Sequence, residues 1–140
     1  MKRLIYTLIV SMAFCFLMPL YANGQILRGN SNEQIGSISS SGEIRSKNGA
    51  YAGKIASDGN IYDRSNKQIG KIESDGTVRN RNGSSIGKIN SDGTVRGDGN
   101  KYLGKIESDG TVRNSNNASI GRASGVKKEW AAVAFFFFSF

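Results

Sequence analysis

Residues 70–86 read GKIESDGTVRNRNGSSI, and residues 104–120 read GKIESDGTVRNSNNASI. From Gly36 onward the chain divides without gaps into five such blocks of 17: 36–52, 53–69, 70–86, 87–103 and 104–120. A repeat of fixed period decides architecture before local propensity does. Partial copies flank the array. Gln25-Ile26-Leu27-Arg28 resembles the second half of a block, and Gly121 to Val126 a shortened first half. Half a unit at each end would let the array close on itself, each half completing the other.

Each block carries two turn signals. The first is Ser-Asp-Gly, or Ser-Ser-Gly in the first block, ending at Gly42, Gly59, Gly76, Gly93 and Gly110. The second is marked by the fourteenth position, which is Gly49, Asn66, Gly83, Asn100 or Asn117. Gly and Asn best tolerate positive φ. A three-residue hairpin loop, a type I turn followed by a left-handed residue, needs such a residue. A loop at Ser74-Asp75-Gly76 sets Glu73 opposite Thr77 and Ile72 opposite Val78. A second loop at Arg81-Asn82-Gly83 sets Asn80 opposite Ser84, Arg79 opposite Ser85 and Val78 opposite Ile86. Ile72, Val78 and Ile86 then share one face, whereas a two-residue Asp-Gly loop would separate Ile72 from Val78.

The other blocks repeat the set: Ile38, Ile44, Ala52; Ile55, Ile61, Ile69; Ile89, Val95, Leu103; Ile106, Val112, Ile120. One parity conflict remains. Ile69 and Ile72 are three apart and would point oppositely in a regular strand. The block start, Gly70, lies between them. Glycine in a strand marks a bulge or bend. Gly36, Gly53, Gly70, Gly87, Gly104 and Gly121 are therefore the expected bulge positions.

The expected fold is all-β: short antiparallel hairpins arranged radially about an axis. The rival is a parallel β-solenoid, which would stack Lys54, Lys71, Lys88 and Lys105 about 4.8 Å apart. Like charges so placed are unfavourable by a few tenths to about 1 kcal/mol each. Four-stranded propeller blades need about 40–45 residues and do not fit. Three apolar positions per block cannot hold an isolated hairpin, so the units must cooperate around the ring.

The repeated GKIESDGTVRN, with the ending Gly125-Val126-Lys127-Lys128-Glu129-Trp130-Ala131-Ala132-Val133-Ala134 and its Phe run, resembles the 5-fold beta-flower family of secreted bacterial proteins. The resemblance covers essentially the whole chain after its leader. It implies two-stranded petals about a pseudo-fivefold axis and an export route. It implies no activity.

Residues 1–24 read as an export signal: a basic start at Lys2-Arg3, an apolar run from Leu4 to Leu20, and Ala22-Asn23-Gly24 as a small-x-small cleavage site. Cleavage would leave residues 25–140, divided into the repeat domain 25–126 and an apolar aromatic segment 127–140. The 140-residue sequence has no His, and its single Cys, Cys15, lies in the leader. That removes Ser-His-Asp and Cys-His catalysis, zinc sites and disulfides from the mature chain. The turn aspartates come one per loop, which suits turn chemistry better than calcium. No phosphate-loop motif is present. No catalytic residue, metal site or cofactor is expected, and the protein reads as a non-enzyme.

The tail WAAVAFFFFSF spans residues 130–140. Read as an extended strand it is apolar on both faces and wants cover on both. The expected packing residues are Trp130, Phe135, Phe136, Phe137, Phe138 and Phe140. A core strand inside or against the flower is the favoured reading. A partner-binding or membrane-contacting tail and an outer-membrane sorting signal are the alternatives. The tail is too short for a membrane helix, and the mature chain has no other apolar run that would make one.

The sequence carries a formal net charge of +8. On the face opposite the Ile/Val set, the register places Lys71 across from Arg79, Lys88 from Arg96 and Lys105 from Arg113. The plainer reading is a solvated face that keeps the protein soluble. The sharper one is an anion-binding surface for cell-surface glycan or lipid. Nucleic acid does not suit an exported chain. The sequence leaves two function classes open, a structural or interaction module and an anionic-surface binder.

Overall fold

The glycine and asparagine phase read from the blocks is where the chain reverses. In the computed structural model, which describes residues 24–140, Gly42, Gly59, Gly76, Gly93 and Gly110 have φ of 89–93°. The second series, Gly49, Asn66, Gly83, Asn100 and Asn117, has φ of 62–83°, and Asn32 joins it at 66°. The expected export signal, apart from Gly24, lies outside the described residues. Gly24 itself already pairs with Ser39.

Twelve strands are laid out between these reversals: β1 (Gly24–Gly29), β2 (Gln34–Ser39), β3 (Glu43–Ser46), β4 (Tyr51–Ile55), β5 (Asn60–Asp63), β6 (Gln68–Ile72), β7 (Thr77–Asn80), β8 (Ser85–Ile89), β9 (Thr94–Gly97), β10 (Tyr102–Ile106), β11 (Thr111–Asn114) and β12 (Ser119–Arg122). Spatial order follows chain order, and β12 pairs back onto β1, so the sheet is a closed barrel. Neighbours are antiparallel, as in Lys71 opposite Arg79 and Ile72 opposite Val78, which excludes the solenoid. The two half copies, β1 and β12, meet and complete one more unit. Closure removes the sheet edges that would otherwise recruit other strands.

The loops have the expected three-residue geometry. Glu73 N–H donates to the Thr77 carbonyl at 2.8 Å, and Asn80 N–H to the Ser84 carbonyl at 2.9 Å. Successive hairpins are joined through the first loop: the Ile72 N–H donates to the Gly59 carbonyl at 2.8 Å.

One expected pairing is corrected. Val78 lies opposite Gly87, not Ile86, and Arg79 lies opposite Ser85. Ile86 is the extra residue of a bulge. The same shift leaves Ile35, Ala52, Ile69, Leu103 and Ile120 unpaired in their strands. The bulge therefore falls one residue before each block-start glycine. It resolves the parity conflict by letting Ile69 and Gly70 both turn inward. The first two members of each apolar set are fully buried; Ile69, Ile86, Leu103 and Ile120 are half-buried at the rim.

The tail is also corrected, from strand to helix. Helix α1 (Lys128–Ala132) continues as a π-helical turn over Val133–Phe137. It runs through the barrel, with Ala131, Ala132 and Val133 at 0% exposure. Two physical reasons favour helix. The barrel strands already use their backbone groups, so a lone strand in the lumen would carry unpaired N–H and C=O groups at a cost of about 1–3 kcal/mol each. A strand also points side chains only two ways, whereas a ring of petals needs them distributed around an axis.

Candidate functional site

The barrel has two unlike ends. Helix α1 enters beside the Ser-Asp-Gly loops, where Lys127 and Trp130 share a groove with Asp58 and Asp75. The Lys127 ammonium sits 4.8 Å from the Trp130 ring centroid. At the other end the phenyl rings fan outward, one to each of five of the six expected bulge glycines. A Cβ built on Gly53 would meet Phe140, on Gly70 Phe138, on Gly87 Phe137, on Gly104 Phe136 and on Gly121 Phe135. The rings follow the glycines in reverse chain order. The π-turn fits this pattern: its Phe138 N–H donates to the Val133 carbonyl at 3.0 Å. An i to i+5 bond winds fewer degrees per residue than the 100° of an α-helix, so consecutive rings reach neighbouring petals. Gly36 has no ring beside it, only the Arg45 carbonyl. Next to it Ile35 is 42% exposed.

The aspartates work in their turns. The Oδ1 atoms of Asp75, Asp92 and Asp109 each accept from the N–H two residues on, that of Thr77, Thr94 or Thr111, at 2.9 Å. These N–H bonds, with the threonine hydroxyls next in size, hold the three carboxyls below their ordinary pKa. A pKa lower in the folded than in the unfolded chain stabilises the fold above about pH 4; the contribution is lost as pH falls through the folded value. Stability is therefore expected to drop below about pH 4. An Asp75→Asn, Asp92→Asn, Asp109→Asn triple variant should show a flatter profile there, measured by urea unfolding against pH. Among the described residues no group of three or more His, Cys, Asp or Glu is placed to hold a metal ion. No helix among them is long and apolar enough to cross a membrane.

The basic residues singled out in the sequence lie on the outer wall in facing pairs: Lys71 with Arg79, Lys88 with Arg96, Lys105 with Arg113. The arginines have a local task that the sequence did not disclose. Nη1 of Arg79, Arg96 and Arg113 donates to the carbonyl of Gly83, Asn100 and Asn117 at 2.9, 3.2 and 3.1 Å, bracing the second loop. Arg79 and Arg113 also pair with Glu73 and Glu107 at 2.6 Å. Arg96 has Asn90 where those arginines have glutamate, and stacks on Tyr102 at 5.8 Å instead. Lys71, Lys88 and Lys105 are exposed and make no ion pair among the described residues. A fourth facing pair, Arg28 with Arg122, was missed. The signal was present: each arginine occupies, in a flanking half copy, the position that a repeat cation occupies in a whole block.

Neither a curated protein nor a solved structure matches the chain. Residues 24–139 match the family described as 5-fold beta-flower protein, and with its ring of hairpins closed around an aromatic tail the chain belongs to that family.

Proposed function

We propose that the protein is an exported, non-enzymatic interaction module that engages anionic cell-surface glycan or lipid through its outer wall. The observation that carries this reading is the row of facing like-charge pairs. A directly opposed pair costs a few tenths to about 1 kcal/mol, which Glu73 and Glu107 offset at Arg79 and Arg113 and which no carboxylate among the described residues offsets between Lys88 and Arg96. A wall that needed only solubility could hold any polar residue at these positions, as Ser37 does opposite Arg45 in the first block. An anionic polymer would repay the cost by neutralising several pairs at once.

The lysines are the working groups of the row in this reading, since Arg79, Arg96 and Arg113 each hold both a turn carbonyl and a second partner, Glu73, Tyr102 or Glu107. Retention of the purified protein on a carboxylated or sulfated glycan resin should fall steeply as salt rises through the Debye-screening range. A Lys71→Gln, Lys88→Gln, Lys105→Gln triple variant should elute earlier, with a melting temperature equal to or above that of the parent because the like-charge pairs are relieved. Vesicles with anionic headgroups, run in parallel, separate lipid from glycan. Absence of retention on both at low salt would remove the proposal and leave a structural module.

A further inference from the structure

The regular repeat of the wall is broken at the seam. Strands β1 and β12 are not connected by a hairpin loop. They share two residue pairs, Arg28 opposite Arg122 and Gly29 opposite Gly121, where β11 and β12 share three. Beside them a groove of about 400 Å³ opens, lined by Gln25, Ile26, Arg28, Asn32, Arg122 and Ser124, with Gly24, the last residue of the expected leader, at its edge.

The two guanidinia facing this groove are held in place. Arg28 Nη1 donates to the Asn32 carbonyl at 2.9 Å. Arg122 Nε donates to Ser124 Oγ at 2.8 Å, and that hydroxyl donates to the Asp109 carbonyl at 3.2 Å. Neither guanidinium makes an ion pair among the described residues, unlike Arg79 and Arg113. Each keeps further N–H donors for a ligand, because a guanidinium carries five. Ile26, 40% exposed, adds an apolar surface to the same groove.

We infer that the seam groove is an oxyanion seat. Arg28 and Arg122 grip a carboxylate or phosphate of an anionic glycan, while the sugar ring lies on Ile26. Two planar forks suit such groups geometrically, which a lysine point charge does not. The inference rests on the proposed anionic-glycan reading and adds to it a second, specific place, distinct from the lysine row.

The test is amide chemical-shift titration of the chain from Gln25 with a glucuronate-containing oligosaccharide, inorganic phosphate and anionic vesicles as separate probes. The oligosaccharide is expected to shift the amides of Ile26, Arg28, Arg122 and Ser124 first. An Arg28→Lys, Arg122→Lys variant keeps the charge and removes the forks. It should bind the oligosaccharide about tenfold more weakly while still being retained on glycan resin through the lysine row. An Arg122→Gln single variant, which leaves the Arg28 turn brace intact, should weaken binding as well. The seat is overturned if the Arg28→Lys, Arg122→Lys variant binds like wild type, or if shifts map only to the wall around Lys71, Lys88 and Lys105. A phosphate response equal to that of the oligosaccharide overturns the Ile26 contact. Failure of the wild-type chain to bind any probe overturns the glycan reading together with the seat.

Discussion

A chain ending at Glu129 is expected to lose its cooperative thermal unfolding transition. The deletion removes Trp130, the fully buried Ala131, Ala132 and Val133, and the rings packed on the bulge glycines. Truncating one buried Phe or Trp costs about 3–5 kcal/mol, and whole domains are stable by about 5–15 kcal/mol. Even with the half-buried rings discounted, the sum exceeds what a domain can lose. Geometry points the same way. Barrels of about eight strands fill their interior with their own side chains, and larger ones leave room. The twelve-stranded wall supplies mainly Ile and Val, and the helix fills the space they leave. Calorimetry of the 25–129 chain against the 25–140 chain measures this, with Phe137→Ala as a milder step that should lower the melting temperature by several degrees. A tailless chain that melts like the full one would show that the lumen is not where the stability resides.

The sequence disclosed what depends on backbone phase and hid what depends on the lumen. The turns were legible because only Gly and Asn occupy the fourteenth position, and the structure gives each of them positive φ. The facing of Ile72 and Val78, and of Lys71 and Arg79, followed from loop length alone. The bulge falls at the Ile-Gly step expected of it, and only the choice of Ile as its extra residue was not legible, because the step does not say which of its two residues goes unpaired. The tail was misread as a strand because a run of Phe has no period to distinguish strand from helix. Its conformation is set by the surrounding wall, through the backbone groups it must satisfy internally and the number of petals it must reach. The match of rings to glycines was countable in the sequence but carried no meaning without the axis. The seam pair Arg28 and Arg122 was legible from the repeat positions of the two half copies, but only closure of the ring makes the two residues, at opposite ends of the chain, a pair.

The block-start glycines offer an internal comparison that isolates the aromatic contribution. A Cβ on Gly36 would lie 2.6 Å from the Arg45 carbonyl oxygen, and a Cβ on Gly70 would lie 2.6 Å from that of Arg79. The backbone collision is therefore the same at both. Gly70 alone also meets a ring, with Phe138 Cζ at 2.5 Å. Neither glycine has positive φ, so conformational strain does not enter. Gly36→Ala should cost about 1–3 kcal/mol, the usual range for overpacking. Gly70→Ala should cost at least about 1 kcal/mol more, because the ring must tilt out of its seat as well. In a Phe138→Ala background the cost of Gly70→Ala should fall to that of Gly36→Ala, while Gly36→Ala itself should be unchanged. Chemical denaturation of the four variants and the double variants closes the cycle. Gly83→Ala serves as the control for a glycine with open space around it, where only the left-handed φ of 83° is penalised, at about 1–2 kcal/mol. Equal costs for Gly36→Ala and Gly70→Ala, with no coupling to Phe138, would mean that the glycines serve the bulge alone. A coupling confined to Gly70 would establish the ring as the reason the petals close so tightly around the helix.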